Sequence, residues 1–269
     1  MAIPVHFDAQ IGGQFLRYAR LLANRGYIHN TLGNMAMRAP HPDHAHGVAY
    51  TKHAEISLEE MGIENIVITD IASSRLLYGS RITSVGHNLN REILKLRPEI
   101  NAVIHVHDDA TIALLGSGAF REVKVLSLDM PIILGKPPHY LEASVNVEAD
   151  VGPVKDFIAH TNVVVMVGHG ITTLGRTISE AYHRLNSFTA EVRRNIEAEH
   201  LAALKGTTPH YRSEAEVAGM YEHADAVVYP SRAERVMAEK LVVPAGWEWA
   251  RPVGDVAEPS SIRNKPAAG

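Results

Sequence analysis

The chain has 269 residues, 46% apolar and 21% charged, which is enough to bury a full-sized core and is far from the composition of a disordered segment. Its 26 Lys and Arg against 30 Asp and Glu leave a formal net charge of -4 with no basic block, which excludes an electrostatic footprint for nucleic acid. There is no cysteine, so a disulfide scaffold, a thiolate nucleophile and a Cys-ligated zinc are excluded together, whereas 16 histidines are a heavy supply of nitrogen donors.

The first residues lack a basic segment followed by an apolar stretch, and no apolar run is long enough for a bilayer, so a cytoplasmic chain without membrane contact is expected. From about Asp8 to Arg25, Ile11, Phe15, Tyr18 and Leu22 fall on one helical face. The runs 31–38 and 47–51 read as two strands joined by an irregular, Pro/His/Asp-rich loop, and 65–69 as a third. A short helix carrying Leu89, Ile93, Leu94 and Leu96 ends near Arg97, as Pro98 requires. Strands are expected at 101–107 and, more weakly, at 123–128 and 144–148. A buried strand at 162–167 stops at Gly168-His169-Gly170, where the chain turns before a long helix. That helix opens on Thr177-Ile178-Ser179-Glu180, a capping-box pattern, and carries the stripe Ile178, Tyr182, Leu185, Val192 and Ile196. Further helices are expected at 214–227 and 231–241. No repeat or linker divides the chain, which reads as one α/β domain over 1–256 with a helical C-terminal extension from about 205 and a flexible tail at 257–269.

Residues two apart in a strand share a face, so His105 and His107 stand side by side with Val103. Alone, such a pair reads equally as a grip on a divalent ion or as the polar end of a strand. His169, between two glycines after a buried strand, offers a third imidazole. Three protein ligands with open positions are the arrangement of a catalytic metal. His41, His44 and His46 form the tempting alternative, but a loop of that composition lacks the rigid elements that hold ligands in place. His183 and His200 read as packing or surface residues of the long helix, His139 has no evident partner, and Asp108 and Asp109 either support a ligating imidazole or, ahead of that, cap the turn at 110–115.

Gly33-Asn34, the stretch Arg97-Pro98-Glu99-Ile100-Asn101-Ala102-Val103-Ile104-His105-Val106-His107, and Gly168-His169-Gly170 before a long helix occur in an order that resembles the class II aldolase/adducin family over roughly residues 10–200. The resemblance implies a three-layer α/β/α sandwich around a mainly antiparallel sheet. It implies a divalent metal on His105, His107 and His169, with manganese expected ahead of zinc, cobalt or iron, and a homotetramer with active sites between subunits. It also implies substrate contacts from Asn34 and from Thr51 at the pocket border.

The family's aldolases carry a catalytic glutamate in the turn before the His-x-His strand. Here that turn reads Thr83-Ser84-Val85-Gly86-His87, without a carboxylate, and the phosphate-side segment is altered to Thr51-Lys52-His53-Ala54. Aldol cleavage needs an acid and a base, whereas decarboxylation needs an electron sink and a proton donor. The sequence is therefore similar to the branch of the family that decarboxylates hydroxylated aromatic acids, pyridine dicarboxylates included, with a small anionic aromatic substrate. On that reading His87 takes the glutamate's place as proton donor, Ser84 contacts the substrate, Lys52 pairs with a substrate carboxylate, and Tyr211 and Arg212 reach a neighbouring subunit's pocket. Two other readings stay open: an aldolase acting on a hydroxy-acid or sugar, and an adducin-like binding module without chemistry.

Overall fold

A computed structural model of the chain describes residues 5–227; the helix expected at 231–241 and the tail expected at 257–269 lie outside them. Helix α1 (Ala9–Asn24) starts where Asp8 accepts hydrogen bonds from the backbone of Gln10 and Ile11, a side-chain cap for amides that have no helical partner. Strands β1 (Asn34–His41) and β2 (His44–Lys52) follow, then β3 (Ile66–Asp70), β4 (Leu76–Tyr78), α2 (His87–Leu96), β5 (Ala102–Val106) and α3 (Asp109–Gly116). The second half contains α4 (Asp129–Leu134), β6 (His139–Leu141), α5 (Val154–Phe157), β7 (Val163–Met166), β8 (Gly170–Gly175), α6 (Ile178–Lys205) and α7 (Glu214–Val227).

The eight strands form one sheet in the order β4-β3-β2-β1-β5-β8-β7-β6, antiparallel throughout except for the parallel pair β6 and β7. Strand alternation sends Met35, Met37, Ile104 and Val106 to one face, where they pack with Phe15 and Leu22 of α1 and with Leu185 and Phe188 of α6. Ala36, Val103, Val164 and Leu174 go to the other face, against Leu89, Ile93 and Leu94 of α2 and Val154 and Phe157 of α5. The result is the expected α/β/α layering. Arg38 reaches from β1 to the end of α2, where its guanidinium donates to the carbonyls of Leu94, Arg97 and Ile100 and so caps that helix from the sheet.

Four local expectations are corrected. The stretch 41–44 is not a loose loop: β1 and β2 continue to a tight turn with His41 paired opposite His44, and His44 Nδ1 lies 3.1 Å from Asp70 Oδ1. Residues 123–128 form no strand because their amides are taken by α6 side chains. Lys124 N–H donates to Asn195 Oδ1, and the N–H groups of Leu126 and Ser127 donate to Glu191 Oε1. Residues 144–148 form turns, and the chain runs through a further strand, β8, between Gly168-His169 and the long helix. Half of the capping box at that helix is present: Thr177 Oγ1 accepts from Glu180 N–H, while Glu180 Oε2 accepts from Arg176 N–H.

Candidate metal centre

Three adjacent strands bring the site together. In the register of β1, β5 and β8, Asn34 lies opposite His105 and His105 opposite Thr172. His107 lies just beyond the end of β5, and His169 sits in the turn that joins β7 to β8. Gly170 lets that turn close, since a Cβ there would fall 2.5 Å from the carbonyl oxygen of Val106 and 3.0 Å from the His105 ring. The three imidazoles form a nearly regular triangle, with ring centroids 5.0, 5.2 and 4.8 Å apart. One nitrogen from each lies within 4.8 Å of the others, and the Nε2 atoms of His105 and His107 are 3.1 Å apart.

The electrostatics suit a cation. Burial, reinforced by the neighbouring rings, pushes His105 well below its ordinary pKa, and burial together with His169 and His29 lowers His107 to about 4. Both rings are neutral at physiological pH and offer lone pairs. His105 Nδ1 is engaged by Thr172 Oγ1 at 3.0 Å, which leaves its Nε2 turned toward the triangle. Three converging imidazole nitrogens are the donor chemistry of a divalent first-row ion, so the residues present fit such a metal.

The sequence reading missed a carboxylate at this site. Glu148, from the turns between β6 and α5, places Oε2 3.4 Å from His169 Nε2 and Oε1 3.8 Å from His105 Nε2. Burial raises its pKa, against the opposing influence of His169 and a hydrogen bond from Asn34. It occupies space left open at Gly86: a Cβ there would sit 2.1 Å from Glu148 Oε1 and 2.3 Å from Asn34 Nδ2. The turn that lacks a carboxylate of its own thus receives one from elsewhere in the chain.

These groups line a cavity of about 530 Å³, together with Thr31, Leu32, Ser84, Val85 and Ile112. Of the site residues expected from sequence, Asn34, Ser84, His105, His107 and His169 meet there, and Ser84 Oγ is buried without a hydrogen-bond partner among the described residues. The others lie elsewhere. His87 does not reach the cavity: it is buried at the start of α2 with Nε2 2.8 Å from Thr69 Oγ1, and burial lowers its pKa to about 3. A ring held neutral in that way has no proton to give at neutral pH, so the role expected of it is corrected. Lys52 is fully buried and donates to the carbonyls of Thr31 at 2.5 Å and Ile56 at 2.6 Å, so it ties down the loop that lines the cavity rather than facing a substrate. Thr51 Oγ1 donates to the Met35 carbonyl. Tyr211 donates to Glu199, and Arg212 pairs with Glu216; neither lines this chain's own cavity.

A histidine triangle at the end of a largely antiparallel α/β/α sheet defines the class of protein. The family model of the class II aldolase and adducin N-terminal domain matches residues 13–193, and the chain belongs to that family. It is 25% identical over 176 residues to the L-fuculose phosphate aldolase of Methanococcus maripaludis, covering 63% of this chain and 87% of that one. It is 27% identical over 177 residues to the methylthioribulose-1-phosphate dehydratase of an Enterobacter species, covering 62% and 84%. The structure of an aldolase II superfamily protein from Pseudomonas syringae superposes with a TM-score of 0.67 at 18% identity, over 87% of this chain and 92% of that one, which shows the shared fold. The chain is thus an enzyme-superfamily member with a histidine cluster able to hold metal. Among the described residues no helix is long and apolar enough to cross a membrane.

Proposed function

We propose that the chain is a divalent-metal-dependent carboxy-lyase acting on a small hydroxylated aromatic acid. A pyridine dicarboxylate such as 3-hydroxy-2-methylpyridine-4,5-dicarboxylate, a compound class tied to vitamin B6 degradation, is the substrate to test first. The observation that supports this reading is the make-up of the cavity. It joins three imidazoles and a carboxylate to the apolar Leu32, Val85 and Ile112. A flat ring with polar groups along one edge suits apolar side chains beside a cluster of polar ones.

A divalent cation on His105, His107 and His169 supplies a Lewis acid for hydroxyl and carboxylate oxygens. The chain's own groups do the rest. Ser84 lines the cavity, and its Oγ, without a hydrogen-bond partner among the described residues, is proposed to turn to a substrate oxygen. Lys52 keeps Thr31 and the following loop in place. Glu148, the carboxyl group beside His169 and His105, serves as the proton donor. The bond to the departing carboxylate breaks, its electron pair stays on the ring carbon, carbon dioxide leaves, and the Glu148 proton takes the vacated position. Manganese is the first ion to assay, and the three imidazole nitrogens also suit zinc, cobalt and iron. Tyr211 and Arg212 are proposed to serve a neighbouring subunit's cavity in a homotetramer.

Aldol cleavage is the second reading. Glu148 favours it, since it brings to the triangle the kind of acid–base group that the 83–87 turn lacks. The test is metal-loaded protein offered ortho-hydroxy aromatic carboxylates and, separately, hydroxy-acid and sugar substrates. Carbon dioxide from the first set supports the carboxy-lyase. Aldehyde release from the second set alone overturns it in favour of the aldolase. A chain without stoichiometric metal or turnover is the adducin-like module.

A further inference from the structure

The Asn34 side chain joins two groups that do not touch each other. Its Oδ1 accepts a hydrogen bond from Asn90 Nδ2 at 2.6 Å. Its Nδ2 is turned to Glu148, and the two converge on the open space at Gly86. An amide has one donor end and one acceptor end, so the partner at one end dictates what the other end presents. Asn90 lies on α2, is fully buried, and does not line the cavity. Its own Oδ1 is buried with no hydrogen-bond partner among the described residues. On a helix whose other buried residues include Leu89, Ile93 and Leu94, an apolar side chain would avoid that unsatisfied oxygen, so stability alone does not account for the amide.

We propose that Asn90 is a positioning residue that, by donating to Asn34 Oδ1, fixes the Asn34 amide with its NH2 toward Glu148 and so holds that carboxylate beside His169 and His105. The effect on turnover rests on the reading of Glu148 given above; the effect on hydrogen-bond polarity does not.

The polarity can be reversed. Asn90→Asp keeps the shape and removes the donor. Above the pH at which the introduced carboxylate ionises, found by following the variant's Tm against pH, the Asn34 amide turns round and offers Glu148 an oxygen. The expected result is a Tm lower by about 3–6 °C. The accompanying kcat is at least about tenfold lower with KM within about threefold. In a Glu148→Gln background the introduced amide can donate to the reversed Asn34, so Asn90→Asp should there cost less than about half as many degrees. An equal Tm loss in both backgrounds is the outcome of a merely space-filling Asn90 and overturns the proposal. This thermal cycle needs no substrate, so it decides even where no turnover is found. Where Asn90→Asp does not fold, Asn90→Leu fills the space without a donor. The same fall in kcat with unchanged metal content supports the relay, and an unchanged kcat overturns it.

Discussion

Glu148 Oε2 stands 3.4 Å from His169 Nε2, in a cavity that also holds His105 and His107. A carboxylate so placed is within reach of whatever the three rings bind. Glu148→Gln keeps the shape and removes the transferable proton, and turnover should fall by about a hundredfold or more. Metal content should be unchanged. Steady-state kinetics beside elemental analysis of the same preparation checks both parts.

Gly86→Ala tests the space rather than the carboxylate. Gly86 has φ -59° and ψ -16°, a backbone that alanine adopts easily and that helix propensity favours. The added Cβ would nevertheless meet Glu148 Oε1 and Asn34 Nδ2. The expected variant folds with a Tm within about 3 °C of the parent yet loses at least about tenfold in kcat. Retained activity would show that Glu148 is not needed where it lies.

Each member of the triangle should be required for metal. His105→Ala, His107→Ala and His169→Ala are expected to abolish stoichiometric binding of a divalent ion. In the parent protein a strong chelator should lower Tm by about 8 °C, the stabilisation expected from a ligand well above its dissociation constant. In the three variants the chelator should do nothing. A chelator effect that survives in any of them would move the metal elsewhere.

His87 carries a pH dependence of stability, not of catalysis. In the folded chain burial, helped by the nearby Arg91 charge, keeps the ring neutral down to about pH 3, whereas an unfolded His protonates near its ordinary value of 6.5. Between those values the unfolded chain binds the extra proton. Stability is therefore intact above about 6.5 and declines as pH falls toward 3. His87→Leu should flatten that decline in denaturant titrations, with kcat within about threefold of the parent. A lost kcat would restore the ring to the chemistry.

The three imidazoles of the triangle are legible because two short-range rules place them: alternation puts His105 beside His107, and glycines flank His169 at the end of a buried run. The helices at 9–24, 178–205 and 214–227 were legible from their apolar spacing and caps. Strand β8 was passed over as a turn before α6, although Ile171, Thr172 and Thr173 carried the β-branched signal. Glu148 was harder. It lies in turn-forming sequence, and its position follows from a vacancy at Gly86 far along the chain. The local clue was the glycine itself, standing where a side chain was expected. His87 misled for the opposite reason: its position in the chain was right, but its side chain turns to Thr69 inside the protein.

Strand β8 enters the sheet between β5 and β7, and only then do Thr172 and the turn bearing His169 come to rest against β5. A chain emerging from the ribosome therefore displays His105 and His107 well before it can offer the third ring. A divalent ion that needs all three rings would be captured late in folding and would act as a seal on the β5–β8 seam.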